Sequence, residues 1–227
     1  MAKGGRLKIL VFAVHPDDEV LGAGGTLLKA KSEGHDIFIC YCTKGSGSDY
    51  SAKILGEKRA EAEKAARMLG AKETFFLDFT AGALNTVPAA ELSKKIGAVV
   101  SGVGPDAVFL PHKGDLHTDH QAVFNAGMVA SRPNSGFTVA RVLCYETSSE
   151  TEWSEQYKRR FVPNVYVPIG NFLKQKLRVL AVYRTELRKY PHPRSLKAVG
   201  LKARQRGSEV VENAAEAFML VRQIGLR

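Results

Sequence analysis

The sequence predicts an α/β fold, a mostly parallel sheet with helices packed on both faces. Three observations point there. Short apolar runs such as KILVFAV and DIFICYCT alternate with longer amphipathic segments, the βαβα rhythm of parallel sheets. Those runs stay apolar at successive positions, as strands buried on both faces must be. The longer segments also carry helix punctuation, with Pro88 near one start and Gly70 and Gly104 after two ends.

Taken in order, Leu7–His15 reads as the first strand. Asp18–Ser32 follows as a helix, with Asp17 or Asp18 at its N-cap and Leu21, Leu27 and Leu28 among its apolar positions. Asp36–Thr43 is the second strand, and Gly45-Ser46-Gly47-Ser48 is a loop on the rim of the site. Leu55–Leu69 is a charged helix stopped by Gly70. Glu73–Phe79 makes a third strand, Pro88–Val103 a helix, Ala107–His112 a fourth strand, His117–Ala130 a helix and Arg141–Thr147 a fifth strand. Beyond that the pattern loosens. Phe161–Pro168 is strand-like, Asn171–Tyr183 and Ser195–Arg206 are helical, and Ala214–Ile224 fits either type. Gly22-Ala23-Gly24-Gly25 lies inside the first helix, so it predicts close packing on the sheet and not a dinucleotide fingerprint. With no internal repeat or linker, residues 1–227 read as one domain: 1–152 a catalytic α/β core, 153–227 the completion of the fold.

Composition narrows the class. Hydrophobic residues at 44% and charged residues at 25% exclude a disordered or fibrous chain. No apolar run reaches the roughly 20 residues that cross a bilayer, so no transmembrane segment is expected. Cys40, Cys42 and Cys144 are odd in number and sit in apolar strands, which argues against a disulfide framework and for a reducing, cytoplasmic location. The net charge of +10 is unevenly placed, with 17 basic and 18 acidic side chains in residues 1–152 against 16 and 5 in 153–227. Such a basic third is either a solvated helical surface or a patch that favours an anionic substrate. A nucleic-acid partner is not expected. The region carries no nucleic-acid motif, and its basic residues lack regularly interleaved aromatics.

In open α/β sheets ligands bind outside the carboxyl ends of the strands. Two polar clusters fall there: His15-Pro16-Asp17-Asp18-Glu19 after strand one, and His112–His120 after strand four. Pro16 disfavours helix at His15, so His15 and Asp18 can converge while Asp17 aims elsewhere. His117 and His120, three apart at a helix start, share a face. Two histidines and a carboxylate are a common ligand set for catalytic zinc, with a position left for water. A spare carboxylate could take that water's proton and a spare histidine could protonate a leaving amine. The plainer readings are an elaborate helix cap at HPDDE and a dipole-favoured helix start at HTDH. Lys113 and Asp115 read as solvent-exposed loop residues.

The stretch VFAVHPDDEVLGAGGTLLKAKSEGHDIFICYCTKG, followed about a hundred residues later by HTDH, resembles the LmbE-like (PIG-L) family of zinc-dependent N-deacetylases. Arg59-Ala60-Glu61-Ala62 leading to Leu69-Gly70, Pro105-Asp106, and Ala215-Glu216-Ala217-Phe218 extend the likeness over most of the chain. The resemblance implies a Rossmann-like three-layer sandwich and a Zn2+ ion held by His15, Asp18 and His120. It implies Asp17 as the general base toward zinc-bound water. His117 would stabilise the oxyanion or protonate the departing amine, with Asp119 orienting its imidazole, and Arg59 would reach toward substrate. The implied substrate is an N-acetylated amino sugar or glycoconjugate that loses its acetyl group. Hydrolysis of another amide or an ester remains open, as does a homo-oligomer. The polar stretch Tyr145–Trp153 is suited to a sugar-binding wall, with Trp153 as its stacking face.

Overall fold

Seven strands form one sheet in the computed structural model, which describes residues 5–44, 51–133, 137–155 and 159–225. The expected Gly45–Ser48 loop lies outside the described residues. The strands are β1 (Lys8–Ala13), β2 (Asp36–Thr43), β3 (Ala71–Phe79), β4 (Ala107–Pro111), β5 (Arg141–Tyr145), β6 (Val165–Pro168) and β7 (Ala215–Gln223). They lie in the order β3-β2-β1-β4-β5-β7-β6. The first five are parallel, and β7 runs antiparallel between β5 and β6.

Strand alternation sends each central strand's side chains into two cores. On one face Ile9, Val11, Ile37, Ile39 and Tyr41 form one apolar cluster with residues of α1 (Asp18–Ser32), α2 (Ala52–Leu69), α5 (Leu173–Leu180) and α6 (Leu196–Ser208). On the other, Leu10, Phe12, Phe38, Cys40, Val108 and Leu110 join α3 (Ala89–Val103) and α4 (Thr118–Ala130). The result is the expected three-layer, mostly parallel α/β sandwich. The glycines of α1 let it lie close: a Cβ at Gly22 would come within 2.2 Å of Tyr145, and one at Gly25 within 2.7 Å of Ile169.

Boundaries of the first five strands and four helices fall within a few residues of expectation. The last third departs more. Phe161 precedes β6, and the expected helix from Asn171 to Tyr183 begins as a 3-10 turn, Gly170–Phe172, before α5. Ala214–Ile224, which fitted either type, contains strand β7. Its first four residues are buried between two neighbours and its end alternates at the sheet margin, so no single period marks it. Cys40, Cys42 and Cys144 are buried and free. No helix of the described residues is long and apolar enough to cross a membrane.

Candidate active site

Strand order reverses between β1 and β4, where the chain first adds strands on one side and then on the other. That switch point opens a crevice at the carboxyl ends, and both polar clusters enter it. After β1 a tight turn folds the Asp18 carboxylate back to accept the His15 amide at 2.8 Å. The turn places Asp17 at φ 122°, a conformation non-glycine residues rarely adopt. After β4, His117 caps α4 by accepting the Asp119 amide on Nδ1 at 3.1 Å. One turn later His120 is fully buried.

These elements bring His15, Asp18 and His120 together, with one ligand atom from each lying within 4.8 Å of the others. Asp18 Oδ2 is 3.4 Å from His120 Nε2 and 3.8 Å from His15 Nδ1. A tetrahedral zinc with bonds near 2.1 Å puts its ligand atoms about 3.4 Å apart, so the three fit such an ion. The other nitrogen of each imidazole meets a carboxylate. His120 Nδ1 is 2.8 Å from Asp115 Oδ2, and His15 Nε2 is 3.3 Å from Asp119 Oδ2. Paired in this way, a histidine turns its remaining lone pair toward a metal. His120 Nε2 is buried and has no hydrogen-bond partner, which leaves it available to a cation. Burial pulls the His120 pKa down, but Asp18 and Asp115 push it up to about 9. Two carboxylates, Asp18 and Asp115, thus face the His120 ring.

His15, His117 and Asp119 also cluster within that distance. There, however, His117 Nδ1 already accepts a backbone amide, and Asp119 accepts from Gly82 and Leu84 at 2.6 and 2.9 Å. Burial raises the Asp119 carboxyl, but His15 and those two amides outweigh it and hold the pKa below the ordinary range. The first trio is the better cation site.

The remaining expected residues fall in different places. His117 lines the cavity, its pKa lowered to about 4 by burial and by the rings of His15 and His120. Asp119, expected to orient the His117 imidazole, meets that ring through its backbone amide and gives its carboxylate to His15. The reason is local: at the first turn of α4 the amide faces the cap, while the side chain meets the 82–84 turn. Asp17 is 3% exposed, and its Oδ2 lies 3.8 Å from Arg194 Nη1. Burial, then Asp18 and Glu186, hold its pKa well above the carboxylate range, with Arg194 opposing them. Glu19 sits beneath the turn, accepting from the Tyr41 and Tyr183 hydroxyls, and burial brings it up to about 7.

Arg59 is not among the residues lining the cavity. It bonds Glu63 and Asp78 and lies over the Phe76 ring at 3.3 Å, while its neighbour Lys58 faces the site. Trp153, expected as a stacking face, is 54% exposed and packs edge-on against His192. Asp115 is not a solvent-exposed loop residue: it is fully buried, and Thr151 Oγ1 donates to its other oxygen at 2.6 Å.

The cavity measures about 240 Å³ and also takes in Thr147–Glu150 after β5 and Glu186, Arg188 and Arg194 from the basic third. Glu186 pairs with Lys58 and, at 3.5 Å, with Arg194. Sequence spacing carries no signal for these three. A larger groove of about 730 Å³ between α2 and α5 carries none of the clustered groups, so volume alone does not locate the site.

Comparison with known proteins shows the family and the fold. The family model described as PIG-L, GlcNAc-PI de-N-acetylase, matches residues 10–131, more than half of the chain. The chain belongs to the PIG-L family. The matched span contains His15, Asp17, Asp18, His117, Asp119 and His120. The chain is similar to a diacetylchitobiose deacetylase of Thermococcus kodakarensis, at 27% identity over 79% of this chain and 70% of that protein. The conserved protein TT1542 of Thermus thermophilus superposes with a TM-score of 0.79 and 28% identity over 97% of each chain. A 4-carboxy-2-hydroxymuconate hydratase, GalB of Pseudomonas putida KT2440, superposes with the same TM-score at 18% identity over 97% of this chain and 98% of its own. It shares the fold, so within the PIG-L architecture the reaction must be argued from side chains.

Proposed function

We propose that the protein is a zinc-dependent hydrolase that removes the N-acetyl group from an N-acetylated amino sugar or sugar conjugate. The observation that carries this reading is the convergence of His15, Asp18 and the partnerless His120 Nε2 in the switch-point cavity of a PIG-L chain. His15, Asp18 and His120 would hold the zinc. When bound there, zinc supplies Lewis acidity toward an amide carbonyl and makes water more acidic.

The chain's own residues supply the proton handling. Asp17, between two residues that line the cavity, takes the proton of the attacking water, and the Arg194 guanidinium at 3.8 Å favours its anion. His117 Nδ1 accepts the Asp119 amide, so the ring proton sits on Nε2. That N–H donates to the developing oxyanion, and the proton that Asp17 took from water passes to the departing amine. Acetate and a free amino sugar leave. Arg59 remains a substrate contact only through movement toward the cavity, beside which it lies. The three free cysteines fit a reducing, cytoplasmic compartment.

The test is release of primary amine from a panel of neutral, phosphorylated and nucleotide-linked N-acetyl sugars. Asp17→Asn should retain zinc and lose about 10²–10⁴ in kcat, whereas His15→Ala and His120→Ala should lose both zinc and turnover. Full activity in Asp17→Asn overturns the mechanism.

A further inference from the structure

The turn that carries Asp17 is held at both of its peptide groups. The Asp17 carbonyl accepts the Val20 and Leu21 amides at 3.0 and 2.9 Å, the opening bonds of α1. Its amide donates to the Glu19 carboxylate, 3.3 Å from Oε2. Rotation about the backbone bonds of Asp17 turns one of these peptide groups against the other, so the two anchors together fix its φ of 122°. A conformation that unfavourable persists only where its surroundings over-determine it.

The Glu19 anchor is itself tied down from below. Glu19, Tyr41 and Tyr183 are fully buried, and none of them lines the cavity. The Tyr183 hydroxyl donates to Glu19 Oε1, while the Tyr41 hydroxyl lies 3.0 Å from the same oxygen and 3.1 Å from the Tyr183 hydroxyl. With Oε1 taken by the tyrosines, Oε2 is left for the Asp17 amide. Tyr41 sits on β2 and Tyr183 on the turn after α5. The Tyr183 carbonyl accepts the Glu186 and Leu187 amides at 3.2 and 3.0 Å, so its turn leads directly into the wall that bears Glu186 and Arg194. Three stretches remote in sequence thus meet on one carboxylate beneath Asp17.

We propose that Glu19 and Tyr183 are positioning residues for the reaction: they hold the Asp17 backbone in the conformation that aims its carboxylate at the attacking water. The inference rests on the general-base reading of Asp17 above. Because neither side chain lines the cavity, its effect on turnover must pass through Asp17. A network that only stabilised the fold would lower Tm and leave the turnover of each folded molecule unchanged. A displaced base loses rate steeply, since a misplacement of about 1 Å costs on the order of 10²-fold. Substrate binding, made by other groups, is untouched. The mark of positioning is therefore a fall in kcat at constant KM.

The experiment uses the full-length, zinc-loaded protein and whichever N-acetyl sugar of the panel above wild type turns over fastest. Tyr183→Phe keeps the ring in its packing and removes only the hydroxyl. Its kcat should fall about three- to tenfold, the worth of one hydrogen bond, with KM and zinc content unchanged. Glu19→Ala removes the acceptor and should lower kcat about 10²-fold; Glu19→Gln keeps an oxygen for the Asp17 amide and should recover most of that loss. The deciding comparison is made in Asp17→Asn, where the positioned group is already gone. There, adding Tyr183→Phe should change the residual kcat by less than about twofold. The same fall in both backgrounds, or no fall in either, overturns the proposal, as does a loss of zinc that accounts for the lost rate. Amide hydrogen exchange reads the anchor without the chemistry: the Asp17 amide should exchange about tenfold faster in Glu19→Ala, and equal rates overturn the anchor. Full activity in Asp17→Asn overturns the general-base reading and with it the catalytic purpose of the anchor, while the exchange difference still reports the anchor itself.

Discussion

Residues 1–152 and 153–227 contribute to the same cavity in opposite ways. The first region is near charge balance and holds the His15–Asp18–His120 cluster, built from short motifs at the ends of β1 and β4. The second is strongly basic and holds no part of the cluster, yet it supplies Glu186, Arg188 and Arg194 to the cavity wall and Tyr183 to the floor under Asp17. Many of its cations are matched inward. Lys176 meets Glu216 beneath α1, Arg206 meets Glu146, and Lys202 lies near Glu146 and Glu152. A charge excess in composition is thus partly an internal counterweight to acids elsewhere, not wholly a surface for a partner.

The most severe test of that contrast is Lys176→Met. It strands Glu216 in a buried site where that carboxylate also accepts the Gly25 and Thr26 amides. Removing one member of a buried pair costs about 3–5 kcal/mol, so calorimetry should show Tm lower by roughly 10 °C. A Tm within a degree of wild type would make the basic third a dispensable coat. Next in size is Asp115→Asn in the first region. It weakens the carboxylate behind His120, and zinc competition titration should find affinity reduced about 10–100-fold. Equal affinity would mean that His120 needs no such support.

A smaller effect follows from pH. Burial raises the Glu146 carboxyl, but Arg206 and Lys202 outweigh it and hold the pKa below its ordinary value of 4.5. Because the folded value is depressed, the stabilisation is present above the unfolded pKa and fades as pH falls through the folded one. Arg206→Leu should cost about 1–2 kcal/mol at pH 7, and its Tm should approach that of wild type as pH drops below 4.5. A gap independent of pH would assign the loss to packing. The smallest effect belongs to Arg59→Ala, since the side chain is 42% exposed in pairs with Glu63 and Asp78. Stability should change by less than about 0.5 kcal/mol and kcat/KM by less than about twofold. A tenfold fall in kcat/KM would restore Arg59 as a substrate contact.

The same contrast governs what was legible in the sequence. The strands β1 to β5 and helices α1 to α4 announce themselves because local rules decide most of them: apolar runs buried on two faces at β1, β2 and β4, Gly70 at the end of α2 and Gly104 after α3. HPDDE and HTDH are legible because their ligands lie within one turn of each other. Asp115 was not, because its contact with His120 depends on a loop that doubles back over five residues and is pinned by Thr151. An acid so near a candidate ligand histidine was the available signal. Glu186 and Arg194 reach Lys58 and Asp17 across more than a hundred residues, and only tertiary packing sets such contacts. Strand β7 was obscure for the related reason that the burial of its first half comes from the strands on either side and not from its own period.

One consequence follows from the backbone at Asp17. Its φ of 122° suits glycine far better than any side-chain-bearing residue, and holding an aspartate there costs about 1–3 kcal/mol. Asp17→Gly should therefore raise Tm by relieving that backbone while His15, Asp18 and His120 stay in place.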